Sequence, residues 1–316
     1  MTMLRYFNQR DKVTDRMVDQ HMKHLAEEYK RANVSIRKQL ETIHRKYSVN
    51  GELSYAEMTK YNRLANLQKD VNAELGRISG ITTKNTAKLA GDVYNESFFR
   101  TAYALEQGAN MNLGFGQLPA KQVEAAITNP YREIALDTHK QQVRNNIRRD
   151  ITQGIIQGES YPQMAKRVQA SLEQNLNNAE RIARTEAHRA REAAGLDSME
   201  HAQEMGVNLQ KQWVSTVDQR TRDTHAAMDG QRVAVDEDFT SPSGAKGPAP
   251  GELGAAAEVI NCRCTSIAII EGFEPEARRI RGEDVVEYKP YKEYAKEKGW
   301  PMKYNGPEPR IVLKEQ

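Results

Sequence analysis

Two thiols with one residue between them, Cys262 and Cys264, and a histidine well upstream, His225, are the side chains of this sequence best suited to soft-metal chemistry. Residues two apart on a strand share a face. If the cysteines lie on a strand, His225 brought up from a preceding loop or helix completes three ligands for a divalent ion such as zinc. Three are too few for a closed structural zinc site. A fourth could come from Asp218, Asp223, Glu258 or His188. The competing reading leaves the cysteines reduced, packed as small apolar groups, with His225 hydrogen-bonded to close its loop. Cysteines this close in sequence seldom bridge, and two of them make no disulfide framework, which fits a reducing compartment.

A second set sits on a helix: Arg184, Thr185, Glu186 and His188, beside a small-residue face of Ile182, Ala183, Ala187, Ala190 and Ala194. One reading is a polar network pinning the helix to a strand layer, with Glu186 paired to an arginine such as Arg220 or Arg222. The other is a catalytic carboxylate near His225. An active site should also carry a nucleophile or a filled metal site, and neither is evident. The sequence has no phosphate-binding Walker loop, dinucleotide fingerprint, HExxH or Gly-x-Ser-x-Gly. Those absences argue against an ATPase motor, a metalloprotease and a hydrolase, so a binding protein is expected rather than an enzyme. Asp229-Gly230 reads as a turn and Asp218 as the cap of a helical turn. Arg144, Arg148 and Arg149 cluster at helical spacing, where they either touch DNA phosphates or form a solvated face.

Three segments carry a resemblance: Ala183-Arg-Thr-Glu-Ala187; Asp218-Gln-Arg-Thr-Arg-Asp-Thr-His225 followed by Met228-Asp-Gly230; and Ile260-Asn-Cys-Arg-Cys264. With Trp213 between the first two, their order resembles the Mu F-type phage head morphogenesis family, the minor head proteins. The motif residues on which it rests are Arg184, Thr185, Glu186, Trp213, Asp218, Arg220, Thr221, His225, Asp229, Gly230, Asn261, Cys262, Arg263 and Cys264. The resemblance covers about residues 178–270. It implies a structural role in procapsid assembly and DNA packaging or delivery. The implied partners are the portal protein, packaged double-stranded DNA, and scaffold or major capsid protein, and the implied location is the virion, in the head interior or at the portal vertex. Some Mu F-type units are joined to toxin domains, but residues 271–316 are too few for an added one. The rival functions are a nuclease or transferase using His225 and Glu186, and a stand-alone DNA-binding protein. No cofactor is required, apart from the zinc that the His225, Cys262 and Cys264 set could hold.

Hydrophobic periodicity supplies the elements that must position these residues. Helices are expected at 11–47, at 54–78 with Ser54 and Glu57 as a capping box, and at 82–107 after Gly80. Others are expected at 120–127, 131–157, 160–175 and 178–205. Strands follow at 209–217, 231–235 and 258–270, with a helical turn at 220–228 and a loop at 240–256. The expected fold is mostly helical α+β: a long-helix arm over 1–177, a small α+β domain with a short antiparallel sheet over 178–270, and a charged, partly extended tail over 271–316 with a short helix near 291–297. Only 7% of the 316 residues are aromatic, which disfavours large compact cores. No apolar run approaches the length of a membrane span, and the first residues lack the apolar stretch of a signal peptide, so no membrane partner is expected and assembly is placed in the host cytoplasm. Residues 1–150 hold 24 Lys and Arg against 17 Asp and Glu, while the remainder holds 22 against 26. The basic half could face nucleic acid, although its charge is spread out.

Overall fold

The computed structural model describes residues 3–116, 118, 120–216, 220–270, 296–297 and 299–301. Four long helices dominate: α1 (Met3–Tyr47), α3 (Arg63–Ala109), α5 (Pro130–Ile156) and α6 (Tyr161–Glu204), with shorter α2 (Tyr55–Thr59) and α4 (Ala120–Ile127) between them. Three strands form one antiparallel sheet in the order β2 (Arg232–Ala234), β1 (Leu209–Val214), β5 (Thr265–Ile270). A two-residue ladder joins β3 (Phe239–Thr240) to β4 (Lys246–Gly247). A 3-10 turn (Lys60–Asn62) and the short helices α7 (Asp223–Met228) and α8 (Ala256–Val259) are the other elements among the described residues. The mostly helical α+β expectation holds. Among the described residues no helix is long and apolar enough to cross a membrane.

The helices are longer than periodicity suggested. Gly80 does not end a helix: α3 runs through it from Arg63 to Ala109. The two helices expected at 160–175 and 178–205 are one, α6. An isolated glycine costs a helix only about 1 kcal/mol, less than the packing on either side returns. The caps fared better. Ser54 accepts a hydrogen bond from the Glu57 amide, and the Ser160 amide donates to Gln163 Oε1, as capping chemistry requires. Asn129 caps α5, with Pro130 in the first helical position.

Contacts divide the chain into two compact units. One comprises residues 19–87 and 129–183, the other 1–18, 88–128 and 184–316. Helices α1, α3 and α6 each contribute residues to both. The first is a helical bundle whose core has one stripe per helix: Leu25, Tyr29, Ile36 and Leu40; Leu67, Val71 and Leu75; Val143, Ile147 and Ile151; Met164, Val168 and Leu172. Their three- and four-residue steps keep each stripe on one face. Within it His139 is buried, with Nε2 2.9 Å from the Tyr29 hydroxyl. Burial, with Arg181 adding repulsion, lowers the imidazole from 6.5 to about 4.

The second unit contains the sheet. Its aromatic core joins Phe7, Tyr94, Phe99 and Tyr103 to Ala190, Ala194 and Met199 of α6 and to Ile267 and Ala268 of β5. Strand β1 buries Leu209, Lys211 and Trp213 on alternate positions. The Lys211 ammonium donates to the Val235 and Pro248 carbonyls, each at 2.8 Å, so a buried charge ties the sheet to the loop over it. Three ionic side chains meet at the start of β5. Glu192 of α6 is fully buried, and Arg10 of α1 reaches its Oε1 at 3.1 Å. Arg191 and the Thr265 hydroxyl donate to the same oxygen, at 3.0 and 3.1 Å. The amide and hydroxyl of Ser266 donate to the other, at 2.8 and 3.0 Å. A side chain at Gly195 would meet the Arg10 guanidinium at 2.7 Å, so that glycine leaves space for the arginine.

Removing one partner of a buried ion pair strands the other charge, at a cost of roughly 3–5 kcal/mol. Glu192→Ala is expected to destabilise the sheet unit by about that amount, read as a lower denaturant midpoint by near-ultraviolet circular dichroism. His139 makes the helical unit sensitive to pH. Its folded value lies below its unfolded one, so between pH 6.5 and about 4 the unfolded chain binds more protons and stability falls with pH. Wild type is expected to lose roughly 2–3 kcal/mol more than His139→Gln over that window in urea titrations.

Candidate functional site

The site is built where α6, α7 and the turn before β5 meet. Sequence reasoning put both cysteines on a strand, but residues 256–259 are the helix α8 and the strand begins only at Thr265. Between them Asn261 adopts φ +58°, the left-handed conformation that asparagine tolerates better than most residues. This reverses the chain, and Cys262 and Cys264 follow in the turn, both free and buried. The Thr185 hydroxyl accepts from the Asn261 amide at 3.4 Å, joining the Arg-Thr-Glu helix to the Asn-Cys-Arg-Cys turn. Thr216 donates to the Arg263 carbonyl at 2.7 Å.

Helix α7 supplies His225. Trp213 packs edge-on to its ring at 5.3 Å and, at the same distance, to Phe239. The Trp213 Nε1 donates to Ser215, whose hydroxyl donates to the His225 carbonyl. The Ser215 amide donates to Asp229 at 2.7 Å, and the Gly230 amide, at φ +79°, donates to the Trp213 carbonyl. Asp229-Gly230 is therefore a turn that also anchors the end of β1. Thr221 donates to the Thr216 carbonyl. Asp218 lies outside the described residues, and Arg220 is exposed at the start of this segment.

His225 Nδ1 faces both sulfurs, 3.3 Å from Cys264 and 3.7 Å from Cys262. Its Nε2 is 3.0 Å from a Glu258 carboxylate oxygen. That carboxylate accepts from Thr224, Ser241 and Ser243. Burial opposes ionisation of Glu258, but the hydroxyls of Ser243, Thr224 and Ser241 outweigh it and hold the carboxyl below its usual range. The hydrogen bond between the sulfurs lowers the Cys264 thiol most; burial works against it, and His225 adds to the lowering. The same bond raises Cys262, with burial adding to the rise. The pair thus favours one thiolate, on Cys264, next to one thiol.

Other expected partners resolve differently. Glu186 pairs with Arg189, one turn along the same helix, at 3.5 Å; Arg222 donates to the Ile260 carbonyl. Arg189 also bonds Glu252 at 3.1 Å, and Gly251, at φ +87°, lies against His188 and Arg189. Arg191 donates to His188 Nδ1 at 2.8 Å, and His188 stands outside the sulfur cluster. Burial first, then Arg191, keeps its imidazole well below the ordinary value. Asp223 is exposed in the first turn of α7. Arg148 and Arg149 line a groove with Tyr55, Gln68 and Asn145, whereas Arg144 is not among its lining residues. Sequence reasoning missed Glu192 and Arg10. The available signal was a charged pair, Arg191-Glu192, inside the Ala187–Ala194 run, where small residues allow close packing.

The segments that converge here, the helix, the His225 turn and the Cys-x-Cys turn, lie within sequence that matches a known protein class. The chain belongs to the phage Mu protein F-like family of minor head proteins, whose description, Phage Mu protein F like protein, matches residues 145–267. The similarity extends well beyond that segment: Minor head protein GP7 of Bacillus phage SPP1 is 35% identical over 296 residues, 91% of this chain and 96% of that protein. A second relative, NAD(+)--arginine ADP-ribosyltransferase EFV of Enterococcus faecalis, is 30% identical over 272 residues, 84% of this chain. The match spans only 55% of that protein's own length. No solved structure matches the chain.

The turn at Asn261 gives a test of the local geometry. Asn261→Gly is expected to be close to neutral, while a β-branched Asn261→Val, forced to positive φ, should cost about 1–2 kcal/mol. Thermal melts of both variants, with thiol labelling rates for Cys262 and Cys264, check this; the valine variant should label faster.

Proposed function

We propose that this minor head protein works by binding: it is incorporated at the portal vertex or head interior during procapsid assembly in the host cytoplasm, contacts the portal protein and capsid or scaffold subunits, and acts in DNA packaging or delivery. The observation that carries the reading is the 35% identity spread over nearly the whole length of both this chain and the SPP1 minor head protein. Relatedness along full length supports a shared role better than a shared motif does. The site residues support it too, since Glu192 and Arg191 are engaged in ion pairs with Arg10, Asp11 and Asp15 of α1, and Glu186 pairs with Arg189 on its own helix. Arg148 and Arg149, in one groove of the helical unit, are the residues through which packaged DNA would be contacted, in a salt-dependent way.

The second reading, a transferase, is favoured by one observation, the similarity to an arginine ADP-ribosyltransferase. The matched part is about half of that protein, so its activity could reside in the remainder. Both readings meet in one experiment. Tagged full-length chain is co-expressed with the portal protein of the same genome and purified at low salt, and the purified protein is incubated with labelled NAD and an arginine-rich acceptor. Portal protein is expected to co-purify and the acceptor to remain unlabelled. Failure of the portal protein to co-purify with the tagged chain at low salt sinks the binding reading; NAD-dependent labelling of arginine establishes the other.

A further inference from the structure

We infer that His225, Cys262 and Cys264 form a three-ligand site for a soft divalent cation such as zinc, with Glu258 as the carboxylate that orients the histidine. The spacing is that of a coordination shell. Zinc bonds of about 2.3 Å to sulfur and about 2.0–2.1 Å to nitrogen, at tetrahedral angles, set sulfur–nitrogen edges near ~3.6 Å. The two edges from His225 Nδ1 are 3.3 and 3.7 Å, and all three donor atoms lie within 4.8 Å of one another. All three residues are buried, so the side chains are already gathered and the cost of ordering them falls on the fold.

The tautomer follows from the other ring nitrogen. A Glu258 oxygen lies 3.0 Å from Nε2, off the line of a hydrogen bond but close enough for its charge to favour the proton there, which leaves the Nδ1 lone pair facing the sulfurs. Ligating histidines are commonly held by such an outer carboxylate. Glu258 cannot itself be the fourth ligand, because it stands on the opposite edge of the imidazole and its oxygens are taken by Thr224, Ser241 and Ser243. Among the described residues no further His, Cys, Asp or Glu joins the cluster. Among the described residues the fourth position is thus left to water or another small ligand, which is the arrangement of an open site. The ion would clamp α7 to the turn that leads into β5.

The full-length chain, reduced and stripped with chelator, is titrated first with cobalt(II) and then with zinc. The expected result is one equivalent of cobalt with a thiolate-to-metal charge-transfer band in the near ultraviolet, bleached by zinc. Cys262→Ala and Cys264→Ala should each abolish the band. Glu258→Gln keeps all three ligands and should weaken zinc by about 10–100-fold without removing the band. Circular dichroism of the alanine variants separates lost binding from lost folding. If they misfold, the Glu258→Gln affinity decides the matter: an unchanged affinity overturns the role given to Glu258. A reduced, folded wild-type chain that shows no charge-transfer band and takes up well under one equivalent of zinc overturns the site itself.

Discussion

One carboxylate carries the sheet unit. Glu192 is removed from water on a helix whose neighbours are alanines, and such a group costs several kcal/mol unless its oxygens are occupied. Here both are: an arginine from the first helix, an arginine beside it, and the hydroxyls and amide that begin β5. Because the donors come from α1, from α6 itself and from β5, the pairing fixes where those three elements come together. The hydrophobic cluster around Phe99 and Tyr103 supplies the bulk of the burial, but apolar packing alone is tolerant of small shifts. A buried ion pair with all lone pairs taken is less so.

The site inherits its precision from that anchor. Thr265 and Ser266 lie directly after Cys264, so the residues that satisfy Glu192 also set where the second sulfur stands. On the other side Trp213, Ser215 and Asp229 form a chain of hydrogen bonds from β1 to α7 and hold the backbone of His225. Asn261 and Thr185 close the remaining side. The Arg-Thr-Glu and Asp-Gly motifs thus act as scaffolding around a histidine and two thiols.

The coarse fold was legible in the sequence because apolar stripes at three- and four-residue steps report helices directly, and Ser54 and Ser160 announced two of their starts. What could not be read had physical causes. Gly80 looks like a stop, yet helix propensity is a weak bias that packing overrides. The Val259-to-Ile270 apolar pattern reads as one strand, while Asn261 bends it into a short helix, a turn and a strand. The joining of His225 to Cys262 and Cys264 was legible from donor chemistry alone. The contribution of Glu258 was not, since its role depends on Ser241 and Ser243 arriving from a loop that sequence reading left featureless and in which β3 and β4 pair. The short helix expected near 291–297 falls largely outside the described residues.

The interleaving of segments bears on how the molecule can be cut and how it must be made. Residues 145–267 carry the family signature, but that stretch begins inside one unit and ends inside the other. Excised alone, it would leave behind Arg10, Phe7 and Tyr94, which pack against α6 and β5. During synthesis the opening turns of α1 emerge long before Glu192 exists to receive Arg10, so the sheet unit closes only after the helical unit's last segment has left the ribosome. The signature is one contiguous stretch, whereas the sheet unit that holds its larger part is stitched from three separate lengths of chain.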